Sequence, residues 1–196
     1  MMNKINILTT IENALINLFS KPLSDLYPGS GRVGICTPDE PRDLMLGLYL
    51  YGIRPCYDIT PQPLIQKGSG FREQAPHFLT LYYLMTAYSK AEDARKTQEE
   101  HNILFRAVET LVNTPVLTER ELGFRPGSYV DKLQLRMLDL TPDEMANIQG
   151  YRDSPYRLSV GFCVTPVEVS AAAGEAVSGT SSADIRTVEK PQGREL

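Results

Sequence analysis

Phe78-Leu-Thr-Leu-Tyr-Tyr-Leu-Met-Thr-Ala-Tyr88 is the stretch that decides the class of fold. Read at the two-residue period of a strand, it puts Leu79, Leu81, Tyr83 and Met85 on one face. Thr80, Tyr82, Leu84 and Thr86 fall on the other. Asp43-Leu-Met-Leu-Gly-Leu-Tyr-Leu-Tyr-Gly-Ile-Arg54 reads alike, with Leu44, Leu46, Leu48 and Leu50 on one side. Met45, Gly47, Tyr49, Tyr51 and Ile53 take the opposite side. Apolar residues on both faces imply strands covered twice, or covered once and used as an interface on the other face. Residues 55–76 join the two strands and are rich in Pro, Gly and Gln. That connection exceeds ordinary hairpin length, and long ordered loops are more often functional than idle.

The flanking segments supply helices and further strands. Ile5, Leu8, Ile11, Leu15, Leu18 and Phe19 recur at helical spacing, which predicts an amphipathic helix over residues 5–19. Lys21-Pro22 is expected to end it. A short strand is expected at residues 33–36. Thr97-Gln-Glu-Glu100 reads as a capping box opening a helix whose Leu104, Ala107, Val108 and Leu111 face the core, with Pro115 beyond its end. Leu133-Gln-Leu-Arg-Met137 alternates as a strand. Thr141-Pro-Asp-Glu144 opens a short helix with proline at its first position. Pro155-Tyr-Arg-Leu-Ser-Val-Gly-Phe-Cys-Val164 alternates again. From Ala171 onward the chain is rich in Ala, Gly, Ser and Glu and has no aromatic residue, a composition that cannot order itself alone. The expected division is a body over residues 1–170 and a flexible tail over 171–196.

Composition bounds the chemistry. The 196 residues carry 20 basic and 24 acidic side chains, a formal charge of −4. Nothing there forms the basic footprint of a nucleic-acid partner. The longest apolar run, residues 44–53, is far short of the ~20 residues that span a bilayer, so no membrane partner is expected. Met1-Met-Asn-Lys4 imitates the start of a signal peptide. Thr9, Thr10, Glu12 and Asn13 then interrupt the apolar region, so the expectation is a cytoplasmic chain without an export signal. Cys36, Cys56 and Cys163 are too few for a disulfide framework, and Cys163 reads as a buried thiol.

No catalytic, cofactor-binding or metal-ligating set assembles. Gly29-Ser-Gly-Arg-Val-Gly34 matches the string that cradles a pyrophosphate, but Pro28 precedes it and Thr37-Pro38 follows. The strand and the helix that the mechanism needs are both missing. His77 and His101 flank a strand and lack ligand spacing. Ser159 lies within an alternating segment, with no nucleophile elbow. Asp139, Asp143 and Glu144 make an acidic cluster, but Asp143 and Glu144 fit the first turn of a helix, and the carboxylates read as capping.

Tyrosine usage carries more information. There are ten tyrosines and no tryptophan, and Tyr49, Tyr51, Tyr82, Tyr83 and Tyr88 gather on the two central strands. Core packing accounts for some of them. The others suit a surface that meets another protein, because a tyrosine joins apolar area to a polar tip. Tyr49, Tyr51, Ile53, Arg54, Tyr82 and Tyr88 are the candidate protein-interface residues.

Taken in order, Leu46-Gly-Leu-Tyr-Leu-Tyr-Gly-Ile53, Leu79-Thr-Leu-Tyr-Tyr-Leu-Met-Thr-Ala-Tyr88, Leu111-Val-Asn-Thr-Pro-Val-Leu117, Leu140-Thr-Pro-Asp-Glu144 and Ser154-Pro-Tyr-Arg-Leu-Ser159 resemble one family. It is that of the tail-terminator, or cap, proteins of extracellular contractile injection systems. The chain departs from it at Leu48-Tyr-Leu-Tyr51, where the family carries an L-Y-R motif, and at Met145-Ala-Asn-Ile-Gln149, where an aromatic residue is frequent. The resemblance implies an α+β fold, a mixed, largely antiparallel sheet flanked by helices as in phage tail terminators. It also implies a non-enzymatic subunit without cofactors. That subunit would form a hexameric ring on inner tube and sheath proteins, at the end distal to the baseplate. Two other readings remain: a monomeric adaptor, and a small ligand-binding α+β domain.

Overall fold

The computed structural model describes residues 7–28, 32–59, 64–66, 72–74, 76–123, 125–127, 129–150 and 157–169. In chain order the elements are α1 (Ile7–Leu26), β1 (Val33–Ile35), β2 (Leu46–Pro55), β3 (Leu64–Gln66), β4 (Arg72–Gln74), β5 (His77–Ala87), α2 (Asp93–Asn113), β6 (Val116–Thr118), α3 (Glu119–Leu122), β7 (Lys132–Met137), α4 (Pro142–Gln149) and β8 (Ser159–Val169). Two compact units result. One holds a six-stranded sheet in the order β1-β2-β5-β8-β7-β6 together with the helices, and the other includes the antiparallel pair β3-β4. In the sheet only β1 and β2 run parallel, and the other pairings are antiparallel. The fold is therefore the expected α+β type with a mixed sheet. The tail expected over residues 171–196 lies outside the described residues, as do Pro155 and Tyr156.

The central strand β5 organises the sheet. Cross-strand partners point to the same side, so the ladder sorts its residues into two faces. Leu79, Leu81, Tyr83, Met85 and Ala87 align with Leu46, Leu48 and Leu50 of β2 and with Val160, Phe162, Val164 and Val167 of β8. Helices α1 and α2 cover this face. Tyr83 stacks on Phe162 at 5.4 Å and 16°, and Phe19 of α1 meets the Phe162 ring edge-on at 6.1 Å. Ile11, Leu15, Phe19, Leu23, Ile103 and Leu111 complete the core from the helices.

Two helix boundaries differ from those read in the sequence. Helix α1 runs through Pro22 to Leu26 instead of stopping before it. An interior proline costs about 3 kcal/mol. Phe19 and Leu23 on either side are fully buried, and each such burial contributes roughly 1.5–3 kcal/mol, so packing wins. Helix α2 begins at Asp93, four residues before Thr97, because Ala94, Arg95 and Lys96 are good helix formers. Glu100 does not cap this helix. Its carboxylate accepts from the Ser89 N–H at 3.2 Å and lies 3.9 Å from Arg157.

The strict alternation read in β2 also breaks. The register slips between Leu50 and Gly52, leaving Tyr51 as an extra residue. Such a bulge resets the parity of every residue after it. Ile53 therefore pairs with Leu81 and leaves the tyrosine face, while Arg54 joins it opposite Thr80.

Restoring an N–H at Pro22 gives the helix back a bond to the Leu18 carbonyl. Pro22→Ala is expected to raise stability by about 1–3 kcal/mol in thermal denaturation followed by circular dichroism. A lowered midpoint would mean that the pyrrolidine ring itself supports the packing.

Candidate functional site

Among the described residues no long helix covers the second face of the sheet. Its central residues are Tyr49, Arg54, Thr80, Tyr82, Thr86, Ser159, Cys163 and Thr165, placed together by the ladder. Shorter pieces of chain cover parts of it. At one end the segment after β1 lies over Gly47 and Tyr88, and the Tyr88 hydroxyl donates to the Pro38 carbonyl at 3.0 Å. At the other end Thr165 donates to the Cys56 sulfur at 3.4 Å, and Glu168 accepts from the Tyr129 N–H at 2.8 Å. In the middle sits α4. Buried Gln149, at the end of α4, donates to Ser159 Oγ at 2.7 Å and to the Arg157 carbonyl at 3.1 Å. Thr86 and Ser159 hydroxyls bond at 2.8 Å beneath it.

Local sequence explains why α4 forms there. Thr141 and Glu144 make the expected capping box: Glu144 accepts from the Thr141 N–H and hydroxyl, and the Glu144 N–H donates to Thr141 Oγ. These bonds hold the Glu144 carboxyl below the usual carboxylate range. Pro142 occupies the first turn, and Gly150 ends the helix at φ 70°, where glycine is unstrained. The approach to the sheet depends on Gly161. A Cβ there would sit 2.4 Å from Leu140 Cδ1 and 3.1 Å from its Cγ, so the bare backbone lets residues 138–141 lie on β8.

Between α4 and the sheet runs a groove of about 380 Å³. Tyr51, Arg54 and Tyr82 form its sheet wall, and Leu138, Asp139, Leu140, Glu144, Asn147 and Ile148 form the other. The Tyr51 and Tyr82 rings lie 6.1 Å apart at 52°, and the Arg54 guanidinium rests 5.3 Å above Tyr82. Burial pushes the Tyr51 hydroxyl above its ordinary pKa, with Arg54 opposing the rise and Glu144 adding to it.

Of the six candidate interface residues, the structure brings three into this groove: Tyr51, Arg54 and Tyr82. Tyr49 is half-buried on the same face outside it. Ile53 is exposed, but the bulge turns it to the helix side. Tyr88 is a core residue, 6% exposed, hydrogen-bonded through its hydroxyl and covered by Arg157 at 5.3 Å. It is thereby withdrawn from the candidate surface. Sequence reasoning missed the opposite wall, assigning Asp139 to helix capping along with Glu144. The one signal for it was Gly161 inside a strand, where glycine marks a close approach of other chain. Among the described residues no group of three or more His, Cys, Asp or Glu side chains converges, and no helix is long and apolar enough to cross a membrane.

Gly161→Ala is expected to displace Leu140 and cost about 1–3 kcal/mol, read by chemical denaturation. Gly52→Ala, whose added carbon meets nothing nearer than 3.7 Å, is the comparison and is expected to cost less. Equal losses would mean that the 138–141 segment swings aside freely.

Residues 10–181 match the Pvc16 N-terminal domain family. No curated protein matches the chain. Among solved structures, it is similar in fold to the sheath/tube terminator of the extracellular contractile injection system PVC in its extended state. That likeness has a TM-score of 0.60 at 15% identity over 96% of this chain. It is similar also to the tube-terminating cap of the anti-feeding prophage, with a TM-score of 0.55 at 16% identity over 87% of this chain. The chain spans 65% and 59% of the length of those two structures. With its match spanning every strand described above and all of the helices but the first three residues of α1, the chain belongs to the Pvc16 N-terminal domain family.

Proposed function

We propose that this chain is a structural subunit that terminates the tube and sheath of a contractile injection particle. In this reading its copies close into a six-fold ring at the end distal to the baseplate, and the chain catalyses no reaction. The observation that carries the proposal is the family match over residues 10–181, supported by a fold likeness to a sheath/tube terminator that extends over 96% of the chain. Assembly takes place in the cytoplasm before the particle is released or retained. The division into a body of residues 1–170 and a tail of 171–196 belongs to the same proposal.

The surface of the sheet unit suits such a role. A closed ring uses two different patches on each copy, and further contacts meet tube and sheath. The face bearing Tyr49, Tyr51, Arg54 and Tyr82 joins aromatic area to polar tips, as interface cores do. Exposed apolar side chains elsewhere, Phe105 and Val112 on α2 among them, are candidates for a second contact.

Electron microscopy of particles from cells lacking this protein tests the proposal. Tubes and sheaths of irregular length with open or frayed ends are expected. Particles of normal length with an intact terminus would overturn it.

A further inference from the structure

We propose that the groove between the sheet and α4 receives an arginine or lysine side chain of a partner protein, seated on the Tyr51 ring before the carboxylates of Asp139 and Glu144. This deepens the assembly reading by giving the chemistry of one contact, and it rests on that reading.

The chain itself builds the same arrangement elsewhere. Arg157 lies 5.3 Å over the Tyr88 ring while its Nη1 is 3.9 Å from Glu100 Oε1, so ring, guanidinium and carboxylate form a complete trio. In the groove Arg54 lies at the same 5.3 Å over Tyr82. Tyr51, 6.1 Å from Tyr82, has no cation over its face among the described residues. Its groove-mates Asp139 and Glu144 supply the carboxylates.

Both carboxylates have capacity. Asp139 is exposed and accepts no hydrogen bond among the described residues. Glu144 meets Thr141 through Oε2 alone, which leaves Oε1 toward a partner. Asp139 and Glu144 set two negative charges against the single guanidinium of Arg54, so the groove lining keeps a net negative charge that attracts a second cation and repels a carboxylate. Leu140 and Ile148 offer apolar surface for the methylene stem of such a side chain.

The test is a titration of the full chain with Nα-acetyl-arginine amide, compared with the uncharged citrulline isostere. Tyrosine ring and Leu140 and Ile148 methyl resonances are followed by NMR. Saturable shifts are expected with the arginine probe, and the citrulline probe is expected to bind about fivefold to tenfold more weakly. Asp139→Asn combined with Glu144→Gln, which keeps the capping box, should reduce arginine binding to the citrulline level while the helical spectrum stays unchanged. Equal responses to the two probes, or none to either, would overturn the proposal. Such a failure is separate from that of the terminator reading, which depends on the ends of particles and not on the isolated chain.

Discussion

The stack of Tyr83 on Phe162, with the edge of Phe19 against it, fixes the middle of the molecule. It joins the two central strands to α1, and aromatic pairs of this kind add about 0.5–1.5 kcal/mol beyond the area they bury. The arrangement carries one cost. The Tyr83 hydroxyl is buried without a hydrogen-bond partner among the described residues, and such a group costs about 1–3 kcal/mol. Burial accordingly pushes its ionisation far above the usual tyrosine range, helped by the charge of Glu12 on α1. The ring outweighs its tip: a fully buried phenyl-sized side chain contributes about as much as the hydroxyl loses, and the stacking comes in addition.

With one face committed to the helices, the second face of the same strands is left to shorter pieces of chain. Close backbone approaches make room for two of them. Gly47 admits Cys36 and Tyr88, and Gly161 admits Leu138 and Leu140. The groove is the interval between the second of these pieces and the bulged end of β2. The bulge at Tyr51 matters most here, since it turns Arg54 onto the tyrosine face and Ile53 away from it. A local irregularity of one residue thus determines which side chains share the surface, a common use of bulges at functional edges.

The sequence made the middle of the fold legible because Leu79, Leu81, Tyr83 and Met85 recur at a two-residue period in β5 among threonines and tyrosines, residue types that favour strands. The capping box at Thr141 was equally readable, since its bonds are local. Readings failed where distant contacts decided the outcome. Burial of Leu23 carried α1 past Pro22, and no local signal told of the sheet beneath it. The Thr97 box was spare, because better helix formers preceded it. Tyr88 reads in sequence like Tyr82, and only the fold places Pro38 and Arg157 over it. Half of the groove was visible as tyrosines on strands. The other half came from α4, whose docking position depends on Gly161 and not on any motif in the helix itself.

The proposed contact surface is the helix-poor face of the sheet, with Tyr51, Arg54 and Tyr82 at its groove, meeting other chains at the end of a particle. Cryo-electron microscopy of the tube end in assembled particles tests it most directly. The account predicts a ring of copies at the end distal to the baseplate, with these three side chains in contact with a neighbouring chain. A terminus without this protein, or copies whose groove opens to solvent, would contradict it.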